Sequence, residues 1–171
     1  MKTSFRPEWP TLFLLIGCYV VWLGASLWAP VAVAIVVMAV AAALHGSLTH
    51  EVVHGHPFPD RPRLNAALVA LPLTLLVPFG RFHDTHLAHH RNAILTDPYD
   101  DPESNYLAPE TWARLPGLVR RLMVFNNTLA GRMLVGPAVG YTAFLWADLR
   151  AMRAGDRQVT RARLAPLPAA A

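Results

Sequence analysis

The chain has one cysteine, one lysine and, between Trp9 and Leu44, no charged residue at all. A lone Cys18 excludes a disulfide within the chain, and its place in an apolar stretch implies no thiolate site. There is no internal repeat, no glycine-rich phosphate loop and no nucleic-acid-binding motif, so no nucleic-acid partner is expected. Histidine is missing from most of the sequence too, because all eight fall between His45 and His90.

What is present is apolar. The sequence is 54% hydrophobic with a mean hydropathy of +0.32, too apolar for an ordinary soluble domain. The excess is local: the uncharged run from Trp9 to Leu44 would make a helix of roughly 54 Å, nearly twice a bilayer crossing of about 20 residues. Pro30 lies near its middle with Gly24 and Ser26, and a proline starts a helix more readily than it continues one. The run therefore reads as a transmembrane hairpin over residues 9–50, with spans near 9–27 and 30–50 and with Trp9, Trp22 and Trp28 placed for the interfaces. A cleaved signal peptide would also put Lys2 and Arg6 before an apolar stretch, but here a second apolar segment follows with no polar gap.

Arginine supplies 14 of the 15 basic residues. Lys2 and Arg6 precede the hairpin, Arg61, Arg63, Arg81 and Arg91 follow it, and the turn at 24–30 has none. By the positive-inside rule the N-terminus and the histidines face the cytoplasm of a multi-pass protein, of bacterial inner-membrane type. The segment Leu64–Phe79 is short for a crossing and contains Pro72. It is expected to be interfacial or re-entrant, bent at Pro72, because a single crossing would separate the histidines onto opposite sides.

The histidines form two groups, His45, His50, His54 and His56, then His83, His86, His89 and His90. Helical residues three or four apart share a face. His50 and His54 meet that rule, His83, His86 and His90 form one stripe, and His89 stands beside it. Imidazole in such numbers suits iron, zinc, copper or nickel rather than calcium or magnesium, and spacing alone leaves iron and zinc open. An acidic, turn-forming stretch, Thr96–Ser104, follows. It reads either as a solvated loop or as carboxylates, Asp97, Asp100 and Asp101, that hold ligand histidines in the right tautomer. Glu51 between His50 and His54 is a further such carboxylate.

Beyond residue 113 nine arginines stand against Asp148 and Asp156, a net charge of +7. Met133–Trp146 is apolar but weakened as a helix by Gly136, Pro137 and Gly140, and is expected to lie on the surface near anionic lipid head groups or to be the front of something longer. Residues 165–171 are expected to be disordered.

His50-Glu51-Val52-Val53-His54 resembles the HxxxH first box of the membrane fatty acid desaturase superfamily, and His86-Leu87-Ala88-His89-His90 resembles its HxxHH second box. Asp97-Pro98-Tyr99-Asp100-Asp101-Pro102-Glu103 is similar to the acidic segment that follows in that family. The resemblance covers residues 9 to about 105, with a metal region at 45–105. It implies an all-α integral membrane fold, a transmembrane hairpin followed by interfacial or cytoplasmic helices that bear the boxes. It also implies a non-haem di-iron centre that uses dioxygen, and electrons from a ferredoxin- or cytochrome-type donor, to desaturate or hydroxylate an acyl lipid. By position His50, His54, His86, His89 and His90 are the iron ligands, with His45 an alternative first-box ligand, His83 a weaker one, and His56 left out. A third box belongs further on in the family, and no histidine follows His90. The resemblance therefore implies a partial, C-terminally truncated desaturase domain over 1–171 with little activity alone.

Two other classes fit parts of the sequence. His50–His54 is also HExxH, the zinc-protease motif with Glu51 as general base, which leaves the second histidine group unexplained. A non-enzymatic membrane protein holding a metal or haem is the other, and it predicts no dependence on dioxygen.

Overall fold

The computed structural model describes residues 6–73, 77–91, 95–101, 103–104, 106–163 and the backbone of Leu164. They contain nine helices and no strand: α1 (Trp9–Trp28), α2 (Val31–Val53), α3 (Pro62–Leu68), α4 (Phe79–Arg91), α5 (Pro109–Arg114), α6 (Gly117–Asn126), α7 (Leu129–Leu134), α8 (Gly136–Arg153) and α9 (Arg157–Leu164). The chain divides into two compact units, residues 1–84 with 161–171, and residues 85–160.

In the first unit α1 and α2 are joined by Ala29 and Pro30, both in extended backbone conformation. Pro10 sits in the first turn of α1 and Pro30 caps α2, positions where the missing N–H costs nothing. With a rise of about 1.5 Å per residue, the two helices are roughly 30 and 35 Å long, the thickness of a bilayer's hydrocarbon core. One stripe of each is buried: Leu15, Cys18 and Ala25 on α1, and Ala41, His45, Leu48 and Val52 on α2. The remainder faces outward, with Phe13 65%, Val20 64%, Ile35 63% and Val40 65% exposed. Each would forgo much of the roughly 1.5–3 kcal/mol that full burial brings if water lay outside. In hydrocarbon it loses nothing, and the protein is a membrane protein. Both helices run slightly beyond the expected spans, to Trp28 and Val53, so that His50 stands in the last turn of α2 and not at its end.

The turn after α2 is held by a buried side chain. Gly55 takes φ +96°, open to glycine without strain. Asn65 on α3 accepts from the Phe58 amide at 3.1 Å and donates to the carbonyls of Gly55 and Phe58 at 2.8 and 3.0 Å. Glu8 at the start of α1 donates its amide to the Pro57 carbonyl, 3.0 Å.

Pro72, where a bend is expected, lies in the irregular stretch that follows α3. Helix α3 ends at Leu68, because Leu71-Pro72 cannot continue it. A rod of about 10 Å is too short to cross a bilayer. Residues 74–76 of this segment lie outside those described. Instead, the chain leaving α3 is tied to α1. The Tyr19 hydroxyl lies 2.8 Å from the Leu68 carbonyl and 2.9 Å from that of Leu71. It also lies 2.9 Å from Nε2 of His45 on α2. A hydroxyl has one proton, here shared between the two carbonyls, so the network assigns the Nε2 proton to His45, which donates it. Thr49 completes the arrangement, its hydroxyl 2.8 Å from the His45 carbonyl and 3.4 Å from Nδ1.

The second unit includes α5 to α8. Thr128 caps α7 by accepting from the Gly131 amide at 3.0 Å, and its hydroxyl donates to the Phe125 carbonyl at 2.7 Å, so one side chain satisfies two backbone groups at a helix end. Gly131 is required there, since a Cβ would overlap the Phe125 carbonyl. The expected weakness appears as a break, since α7 ends at Leu134 and α8 begins at Gly136, while Gly140 does not interrupt α8. Pro137 falls in the first turn of α8, where a proline starts a helix, and α8 continues unbroken to Arg153. Residues 165–171, expected to be disordered, lie outside those described.

Candidate metal centre

Each unit carries a pair of imidazoles set by helical spacing. In the first, His50 stands in the last turn of α2 and His54 caps it, their ring centroids 4.8 Å apart. Glu51 lies 3.3 Å from His50 Nδ1 through Oε1, and both side chains are about half exposed. The four-residue step that puts both rings on one face is available because the helix runs on through Val53.

In the second unit the last turns of α4 present His86, His89 and His90. His86 and His90 point Nε2 at Nε2, 3.0 Å apart. Two nitrogens each about 2.0–2.1 Å from a common ion stand roughly 2.8–3.4 Å apart for bond angles of about 90–109°, so the pair, here at hydrogen-bond distance, is also spaced to serve as two ligands of one metal. His86 is buried, and its other nitrogen, Nδ1, lies 3.2 Å from each carboxylate oxygen of Glu103. A carboxylate there keeps the proton on Nδ1 and leaves Nε2 a lone pair, the tautomer that binds metal.

His89 repeats the arrangement with a different acid. Its Nδ1 is 2.7 Å from Oδ1 of Asp101, whose side chain is 4% exposed. Asp101 also accepts from the amides of Thr96, at 2.9 Å, and Glu103, at 3.0 Å, so one carboxylate folds the acidic loop around the histidine. The hydrogen bond from His89 holds the Asp101 carboxyl below its ordinary range, the two amides adding to the effect. The same bond raises the imidazole of His89 above its ordinary value.

The other carboxylates named from the sequence are placed differently. Asp97 accepts from the amides of Tyr99 and Asp100 at 2.8 and 3.0 Å and so shapes the turn, and Asp100 is exposed. Glu103 was part of the acidic run, but it lies too far along the chain from His86 for any helical spacing to single it out from its neighbours. Of the remaining histidines, His45 is 3% exposed and directs its ring to Tyr19 and Thr49. His83 stands 3.2 Å from Asp84 and beside Phe79, and His56 stands 2.8 Å from Glu8. Tyr19 was not recognised in the sequence, because a tyrosine in an apolar span carries no spacing signal.

The donor set is imidazole with carboxylates behind it, which fits iron and other first-row metals better than calcium or magnesium. Comparison with known proteins agrees with that chemistry. Residues 26–171 match the family described as fatty acid desaturase. Two proteins named beta-carotene ketolase, from Paracoccus sp. strain N81106 / MBIC 01143 and Paracoccus sp. strain PC1, are 40% and 37% identical to this chain over 67 residues. Each match covers 38% of this chain and 26% of the ketolase. No solved structure matches the chain.

Proposed function

The chain belongs to the fatty acid desaturase family, and we propose that it is a membrane oxidoreductase that uses dioxygen to desaturate or hydroxylate an unactivated carbon chain dissolved in the bilayer. The observation that supports this best is the pairing of His86 with Glu103 behind it and His90 in front, a metal-binding tautomer held ready on a helix. His50, His54, His86, His89 and His90 would hold two irons, with His45 and His83 as alternatives, and the metal would supply the reduction of dioxygen with electrons from a ferredoxin- or cytochrome-type donor. The reading requires the pair on α2 and the pair on α4 to serve one centre. Glu103 and Asp101 fix the tautomers of His86 and His89, while the exposed apolar faces of α1 and α2 admit a lipid laterally. The centre is proposed to face the cytoplasm of a bacterial inner membrane.

Acyl lipid is the substrate class the family suggests. A second reading, oxidation of a carotenoid ring to a ketone, is favoured by the names of the two similar Paracoccus proteins. Residues 91–171 contain no histidine, so a third box is not among them. The chain as given is expected to bind metal but turn over slowly unless a further HxxHH-type segment is supplied.

Cells that contain both acyl lipids and β-carotene, and an electron donor, would be grown under ¹⁸O₂ with the chain, its extended version, or either carrying H86A and H90A. Desaturation leaves no label in the product, whereas hydroxylation or ketone formation does. The proposal fails if the extended chain, loaded with iron, oxidises neither class, and the ligand argument fails if the chain as given is fully active alone.

A further inference from the structure

The second unit carries an apolar and cationic face that the proposed oxidation does not use. A cleft of about 600 Å³ is lined by Trp112, Arg120, Arg121, Val124, Phe125 and Thr128, among others. Arg120, Arg121, Val124 and Thr128 recur at helical spacing, so α6, with the Thr128 cap beyond it, turns one face to this cleft. Alongside, Leu118, Leu122 and Phe125 form a second stripe at i, i+4 and i+7, and they are 80%, 41% and 41% exposed. On α7 Leu129, Met133 and Leu134 are 78%, 73% and 74% exposed. Neither Arg120 nor Arg121 has a carboxylate partner among the described residues. From Pro109 to Leu134 there are four arginines against Glu110.

We propose that this cleft is a binding site for the head group of an anionic phospholipid, with Arg120 and Arg121 on the phosphate, Trp112 at the interface, and the exposed leucines of α6 and α7 in the acyl layer. Charge decides the head group: a zwitterionic lipid offers no net charge to two guanidinium groups, which match phosphate oxygens through paired N–H donors. The flanking apolar stripe decides for a lipid over a soluble acidic protein, because leucine and methionine at such exposure gain more from acyl chains than from a polar partner. A partly exposed indole in the lining, Trp112, suits the head-group level.

The test uses the full chain purified in a mild non-ionic detergent and titrated with dihexanoyl phosphatidylglycerol, dihexanoyl phosphatidylcholine or inorganic phosphate. Binding is read by tryptophan fluorescence, and W112F isolates the signal of Trp112. Phosphatidylglycerol should bind well ahead of phosphatidylcholine, and the R120Q/R121Q variant should lose that preference, roughly fivefold for each arginine removed. R120K/R121K, which retains the charge, should keep most of it and shows that the helix still folds. Equal binding of the two lipids, or an unchanged preference in R120Q/R121Q, would overturn the proposal. So would displacement of phosphatidylglycerol by equimolar inorganic phosphate, which means a simple anion site. Binding of an acidic electron-transfer protein that depends on both arginines, with no lipid preference, would reassign the face to that partner.

Discussion

At the scale of single residues the candidate centre is defined by which nitrogen of each histidine is already engaged. Replacing Glu103 by glutamine leaves the size unchanged but removes the charge that holds the His86 proton on Nδ1, so metal affinity should fall about 10–100-fold. D97N, which alters a turn, should leave it unchanged, and iron retained per chain across a chelator series measures both. E51Q separates two chemistries: lipid oxidation should survive it, whereas a zinc protease would lose its general base. Oxidation abolished by E51Q with iron still bound would give that glutamate a direct part. Y19F leaves His45 and two backbone carbonyls short of a partner, and should cost about 1–3 kcal/mol in thermal unfolding with no loss of metal. The ring positions of His50, His54, His86 and His90 could be read from spacing because a helix repeats. The acid behind each ring could not, because Glu103 and Asp101 arrive through a loop whose path no period encodes.

Among the elements, the hairpin was the most legible, since a long uncharged run interrupted by one proline has few other ways to fold. The later helices were less so. Pro137 counted against a helix when read as part of Met133–Trp146, yet it begins one, because the preceding helix has already stopped at Leu134. That stop depends on the corner between α6 and α7, where Thr128 bonds both the Phe125 carbonyl and the Gly131 amide. T128A should cost about 1 kcal/mol. G131A should cost about 1–3 kcal/mol, since the added methyl must push the Phe125 carbonyl aside. Denaturation followed by far-ultraviolet circular dichroism checks both, and a G131A variant as stable as the original would show that the corner relaxes freely.

For the molecule as a whole, the arrangement of arginines makes a directional prediction. In a C18A background, S26C should label with an impermeant maleimide only from the outside of cells, and S104C only after the membrane is opened. Labelling of both from one side would reverse the positive-inside argument. The sequence pattern conveyed that the chain enters a membrane but not how Leu68–Leu71 returns to it, since that depends on the hydroxyl of Tyr19, far earlier in the chain. Tyr19 lies about 15 Å along α1 from Trp9, and so the bond has a consequence for biosynthesis. As the ribosome delivers the chain, α1 and α2 can enter the bilayer with Tyr19 and His45 satisfying each other. The carbonyls of Leu68 and Leu71 are made later and have no partner in lipid until they reach that hydroxyl. The hairpin is thus a receptor prepared for a segment not yet synthesised, and residues 62–73 should stay on the aqueous side of the insertion machinery until the hairpin has formed.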